Sequence, residues 1–376
     1  MKPIERLVKD SVRNLEPCVH GAEILGSAEA FGLKPEAIID FSSSVNPLGP
    51  SRKALEAAKK VFSQIAAYPD SNSNRLRQVI AKRFNLSKNN IVVGNGSTEL
   101  MYLFAEVFIK QGDKVVMPAP TFGEYEGAVC KNGEISTFVK LDKDFNVDAS
   151  GFKQEMRDAK MIFLCNPNNP TSKLVRKETL TDILEQALAQ DTLVFLDEDF
   201  LEFVDDEQEL SMVGKIDKYP NLFILKSFTK IFGLTGLRVG YGIANENIIN
   251  VLLRAKIPWN VNCIGQAAAA AALEDEEHLR LTLNLIKEEK VWLANELAKI
   301  KGFKFCFPDA NFFFIDIHES GFTAAELKKY MLEQRLLIRD CSSFRGLDQY
   351  YIRIAVKTHE ENQRLIETLR RKVRAV

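Results

Sequence analysis

The segment Ser227-Phe228-Thr229-Lys230-Ile231-Phe232-Gly233-Leu234-Thr235-Gly236-Leu237-Arg238 sets a lysine just beyond an apolar run. Two hydroxyls lie in the three residues before Lys230, and a guanidinium follows eight residues after it. Hydroxyls and a guanidinium are the donors of a phosphate clamp, and an amine fixed beside a clamp is suited to covalent chemistry on a phosphorylated aldehyde. The plainer alternative is a surface lysine and arginine flanking a glycine turn. Leu193-Val194-Phe195-Leu196-Asp197 ends an apolar run on a carboxylate, and Gly94-Asn95-Gly96-Ser97-Thr98-Glu99 leads from another such run into a helix starting near Ser97. The free N–H groups and dipole of that helix start form an anion site. Taken singly, a strand-end Asp is often a helix cap and a glycine-rich turn only a turn; GNGSTE is not the GxGxxG of a dinucleotide fold.

These segments need elements to position them. Short apolar or β-branched runs at 91–93, 115–117, 161–164, 193–196, 222–225 and 239–243 alternate with longer amphipathic stretches. That alternation predicts an α/β fold, a largely parallel sheet covered by helices on both faces, with functional loops beyond the carboxyl ends of the strands. After Pro258 the pattern changes. A helix bearing the alanine run 267–272, read as a close packing surface, leads into a long charged helix ending near Leu297. Strand-like runs at 303–307 and 312–317, a helix over 324–334, short strands around Ile338 and Ile352 and a last helix from Glu360 read as a smaller α+β domain. The expected organisation is an arm over 1–45 that contributes to the small domain and the substrate site, a large domain over 46–260 and a small domain over 261–376. The turn Asn46-Pro47-Leu48-Gly49-Pro50 marks the first boundary.

SFTKIFGLTGLRVGY, the strand-end LDE and NPNNPT (166–171), in this order, resemble aminotransferase-like enzymes of fold type I that use pyridoxal 5′-phosphate. The resemblance runs from His20 to the last helix. It implies that Lys230 is the lysine bonded to the cofactor and that Asp197 pairs with the pyridinium, keeping the ring an electron sink. It further implies that Asn169 bonds the ring hydroxyl and Phe122 stacks on the ring. Gly96, Ser97, Thr98, Ser227, Thr229 and Arg238 would hold the phosphate. Tyr68 would reach the phosphate of a neighbouring subunit, hence a homodimer, and Arg353 would bind the substrate carboxylate. Ser172 departs from the glycine usual after NPT.

Within that group, the segment around His20, the segment leading to Asn46, PWNVN (258–262) and the run from Ile338 to Arg353 are similar to threonine-phosphate decarboxylases of cobalamin biosynthesis. In that family the positions of His20, Asn46 and Arg339 hold the substrate phosphate. Phe200, where aminotransferases of the group usually carry Tyr, points the same way without dictating the reaction. Read without the resemblance, His20 is a solvent-exposed or capped histidine and Asn46 before Pro47 a turn residue; Arg339 on an apolar run is a guanidinium in want of an anion. The expectation is thus decarboxylation of O-phospho-L-threonine. The alternatives are histidinol-phosphate aminotransferase, a serine-phosphate decarboxylase, or, from another class, a ligand-sensing regulator.

Composition narrows the field. The 50 basic and 51 acidic residues nearly cancel, so no global field favours nucleic acid or an anionic membrane. Six scattered cysteines without a CxxC pair, and four dispersed histidines without HExxH, read as reduced thiols in a cytoplasmic protein with no metal site. The first 17 residues mix both charge signs and lack the apolar core of a signal peptide, and no stretch approaches the roughly 20 apolar residues that span a bilayer.

Overall fold

The apolar runs assemble into strands because each buries β-branched or aromatic side chains on both faces. The computed structural model describes residues 4–374 except 14 and 135. A short strand β1 (Ile39–Asp40) is followed by β2 (Ile91–Gly94), β3 (Lys114–Ala119), β4 (Ser136–Lys140), β5 (Ala159–Cys165), β6 (Leu193–Asp197), β7 (Leu222–Ser227) and β8 (Gly240–Ala244). β2 to β8 form one sheet in the order β2-β8-β7-β6-β5-β3-β4. All are parallel except β8, which runs against both neighbours. The expected α/β class is observed.

Two strands escaped the sequence reading, the two-residue β1 within the arm and β4. β4 carries only Phe138 and Val139 as large apolar residues and is half-buried at the sheet edge, so its apolar signal is weak. The run 303–307 is not a strand. It makes a single isolated bridge, Lys304 to Asp316, and leaves Phe307 exposed.

Both sheet faces are covered. Phe104, Tyr125, Phe163, Phe195 and Phe223 pack as one aromatic layer, with Tyr125 stacked on Phe163 at 5.2 Å and Phe195 on Phe223 at 5.2 Å. Full burial of each such ring contributes roughly 1.5–3 kcal/mol. On the other face, the helix Cys263–Leu273 lies against the helices Arg52–Lys60 and Asn74–Phe84. Its alanines, Ala268, Ala269 and Ala272 among them, are buried and let the backbones approach.

The C-terminal part contributes β9 (Phe312–Asp316), β10 (Leu336–Leu337), β11 (Arg339–Asp340) and β12 (Tyr351–Ala355). β11-β12-β9 is an antiparallel sheet, and β10 pairs in parallel with β1. Phe41 N–H donates to Leu337 O and Ala355 N–H to Phe41 O, so the chain leaving β1 is stitched to this part before it reaches the main sheet.

Candidate active site

Register brings the sequence motifs to one edge. Cys165 pairs with Asp197, Asp197 with Leu225, Ser227 with Gly240 and Gly240 with Gly94. The carboxyl ends of β5, β6, β7 and β2 therefore meet where β8 begins. A cavity of about 1010 Å³ opens there, lined by Lys230, Thr229, Phe122, Asn169, Phe200, Arg339, Arg353 and His20 among others.

The helix Ser97–Phe108 starts at this edge after Gly96, whose φ is +83°. A Cβ on Gly96 would sit 2.5 Å from Arg238 Nη2. The guanidinium thus lies directly on the helix start, where only glycine leaves room. Ser227 and Thr229 are buried beside it, and Thr229 N–H donates to Ser227 Oγ at 3.1 Å. The cradle combines helix N–H groups, two hydroxyls and a guanidinium, a donor set that fits a phosphate. Gly96→Ala is expected to displace Arg238 and weaken pyridoxal-phosphate binding about tenfold or more, as loss of a charge-assisted hydrogen bond implies; equilibrium dialysis measures this.

Asp197 is buried at the end of β6. Its Oδ1 accepts from Asp199 N–H at 2.9 Å and its Oδ2 from Tyr125 O–H at 2.7 Å. Desolvation pushes its pKa from 3.8 up to about 7, reinforced by nearby Asp199 and opposed by the Tyr125 hydrogen bond. Among the described residues it has no cationic side chain within ion-pair distance, so the carboxyl suits a cation supplied from outside the chain, as a pyridinium is. Tyr125 was missed in the sequence, although it sits three residues after Phe122 on the same helix start.

Lys230 and Lys226 stand four residues apart with opposite surroundings. Lys226 is fully buried and pairs with Glu198 (3.4 Å), Glu202 (3.3 Å) and Glu207 (3.0 Å). Burial alone would lower its pKa, but Glu202, Glu207 and Glu198 outweigh that and raise it. The Lys230 amine is shifted down, first by desolvation and then by Arg353 and Arg238, against the pull of Asp199 and Asp197. Its Nζ lies 5.4 Å from the Phe200 ring.

Two arginines face each other across the small sheet. Arg339 on β11 is the register partner of Arg353 on β12, so both side chains share one face, and both line the cavity. Like charges directly opposite are unfavourable unless something neutralises them. Arg353 donates to Asn169 Oδ1 and, at 2.7 Å, to Ser42 O; its Nε has no partner among the described residues. Desolvation lowers its pKa to about 10. Arg339 donates to the carbonyls of His20 (2.8 Å) and Val19 (2.7 Å) and to Ser343 Oγ (2.9 Å). It therefore ties down the arm.

His20 lines the cavity, with Nε2 2.8 Å from Glu124 Oε1; Tyr102 O–H donates to Glu124 Oε2 at 2.6 Å. The His20 hydrogen bond is the main cause that holds the Glu124 carboxyl below its usual range. Glu124 had no signal in the sequence. Phe122 meets the edge of Tyr125 at 5.6 Å. Of the expected residues, Gly96, Ser97, Thr98, Asp197, Ser227 and Arg238 sit at the neighbouring strand and helix ends without lining this cavity, and Asn46 and Tyr68 are not brought to it either. The Asn46 amide donates to Ile231 O (2.7 Å) and Thr282 Oγ1 (2.9 Å), and its Oδ1 accepts from Leu48 N–H. That side chain is spent on bracing the loop below Lys230, whose carbonyl accepts from Asn46 N–H. Tyr68 is 80% exposed, its ring 4.6 Å from Trp259. Ser172 keeps a left-handed backbone at φ +58°, and its Oγ accepts from Ala310 N–H, a bond glycine could not make.

Comparison with known proteins fits this arrangement. The family model described as aminotransferase class I and II matches residues 36–369. Histidinol-phosphate aminotransferase of Methanosphaera stadtmanae is 35% identical over 91% of this chain and 92% of its own length. The crystal structure of histidinol-phosphate aminotransferase from Clostridium acetobutylicum superposes with a TM-score of 0.85 at 32% identity, covering 90% of this chain and all of that one. That of L-threonine-O-3-phosphate decarboxylase from Porphyromonas gingivalis gives 0.80 at 30% identity, again over 90% of this chain and all of that one. Pyridoxal phosphate is the cofactor of this family, and the cradle, Asp197 and Lys230 fit it.

The expectation of threonine-phosphate decarboxylation is corrected here. Curated relatives 33–35% identical over most of the chain are histidinol-phosphate aminotransferases. The signals behind that expectation were weak discriminators. Phe200 removes one hydroxyl without choosing which bond breaks, and the Asn46 side chain is occupied elsewhere.

Proposed function

We propose that this chain, which belongs to the aminotransferase class I and II family, transfers the amino group of a phosphorylated primary amine such as histidinol phosphate to a 2-oxo acid. The observation that carries this reading is the opposed pair Arg339 and Arg353 on one face of β11 and β12, within the same cavity as Lys230. A paired guanidinium site suits a doubly charged phosphate in one half-reaction and a dicarboxylate in the other.

Bound at the cradle, pyridoxal phosphate supplies an aldehyde that condenses with amines and a ring that takes up electrons released at the substrate carbon. In our reading Gly96, Ser97, Thr98, Ser227, Thr229 and Arg238 hold its phosphate, Asn169 its ring hydroxyl, Phe122 one ring face and Asp197 its ring nitrogen. Lys230 would be the residue that holds the cofactor aldehyde. Burial and the charges of Arg353 and Arg238 lower the pKa of its amine, which would suit Lys230 to move a proton at the substrate α-carbon. Histidinol phosphate has no carboxylate, so its α-carbon offers a C–H bond for cleavage. Arg353 and Arg339 fix the distal anion and with it the orientation of that bond. His20, hydrogen-bonded to Glu124, would border the far end of the substrate. The exposed apolar residues Phe62, Ile65, Tyr68 and Trp259 support a homodimer in which Tyr68 completes the partner's site.

The test is a single half-reaction. Histidinol phosphate, without any oxo acid, is expected to convert the bound cofactor stoichiometrically to its amine form, and 2-oxoglutarate to restore it. Catalytic carbon dioxide release from O-phospho-L-threonine, with no conversion by histidinol phosphate, would overturn the reading.

A further inference from the structure

The turn after β6 carries a second carboxylate that the reaction as outlined does not use. Asp199 is only 8% exposed, and its Oδ1 has no hydrogen-bond partner among the described residues. Leaving a buried carboxylate oxygen unpaired is costly, and a catalytic role is one reason such a group is kept. Its backbone N–H is fixed on Asp197 Oδ1, and the next residue, Phe200, sets its ring 5.4 Å from Lys230 Nζ. The turn 199–200 is thereby packed against the lysine.

We propose that Asp199 is a positioning residue for the Lys230 nitrogen, a second buried carboxylate that acts beside Asp197 to hold a proton there. This rests on Lys230 being the lysine that bears the cofactor. The neighbouring acidic groups are otherwise engaged. Glu198, Glu202 and Glu207 surround Lys226, whereas Lys230 has no ion pair within 4.0 Å among the described residues. In a dry interior a carboxylate acts on an ammonium beyond ion-pair distance. Asp199 is the leading charge favouring the protonated Lys230, ahead of Asp197, while Arg353 and Arg238 oppose it. The titratable groups that face Asp199 are Asp197 at the end of β6, the Cys165 thiol of β5, Glu202 and Lys230 itself. Glu202 is paired with Lys226 at 3.3 Å and so engaged away from Lys230.

The experiment labels Lys230 in the cofactor-free protein with acetic anhydride at a series of pH values and follows its peptide by mass spectrometry. A spectral pH titration of the cofactor-loaded protein runs in parallel. Asp199→Asn is expected to move both midpoints down by about one pH unit, the effect of deleting a nearby opposite charge. Asp199→Ala, which empties the space, must move them the same way, and guards against an asparagine variant that misfolds. Unmoved midpoints in a folded variant would overturn the proposal. Borohydride reduction of the loaded wild type keeps the two readings apart, since an adduct on any lysine other than Lys230 sinks the cofactor assignment and not the influence of Asp199 on the free amine.

Discussion

Lys230→Ala is expected to lose covalent attachment of pyridoxal phosphate entirely and to slow transamination by at least about 10⁴-fold, the upper range for removing a proton-transfer group. The prediction is sharper than for most lysines because a second candidate lies four residues away. Lys226 is enclosed by three carboxylates that raise its pKa, so it remains an ammonium and has no lone pair to offer. Lys230 is pushed the other way by desolvation and two arginines. Reduction with borohydride followed by peptide mapping should find the adduct on Lys230 in the wild type and on no lysine in the variant. An adduct on Lys226 would refute the electrostatic distinction between them.

The motifs that could be read along the chain are those built from neighbours in sequence. Asp197, Ser227 and Gly96 each end or follow an apolar strand, and parallel register delivers them to one edge without further information. What the chain concealed depends on contacts between distant segments. The Tyr125 hydroxyl reaches Asp197 across 72 residues, and the Asn46 amide reaches Thr282 across 236. A turn asparagine looks the same in sequence whether its amide faces a substrate or a helix. The opposition of Arg339 and Arg353 exists only through the antiparallel register of β11 and β12. β4 was invisible because an edge strand needs few apolar residues, and 303–307 was misread because its three phenylalanines and one cysteine mimic a buried strand. The choice between decarboxylation and transamination lay in still subtler features, such as Phe200, that bear on how the ring is held and not on the bond that breaks.

Asp197→Asn carries the second large effect, and it has a pH signature. In the cofactor-free protein the Asp197 carboxyl keeps its proton up to about pH 7, whereas in the unfolded chain it releases it near 3.8. Between those values the folded state binds more protons than the unfolded one, so this group makes stability fall as pH rises, and the loss is complete above about pH 7. Its size is on the order of 4 kcal/mol. A pyridinium beside the carboxylate removes the penalty of ionisation. The rise in Tm on adding pyridoxal phosphate should therefore grow from about pH 4 to about pH 7 and then level off. Asparagine cannot ionise, so the variant should show a smaller shift with no such growth. Its turnover should fall by roughly 10²–10³-fold, as expected when a buried charge loses its partner. A cofactor-induced shift that is flat with pH in the wild type, or that keeps its slope in the variant, would mean that Asp197 does not pair with the ring nitrogen.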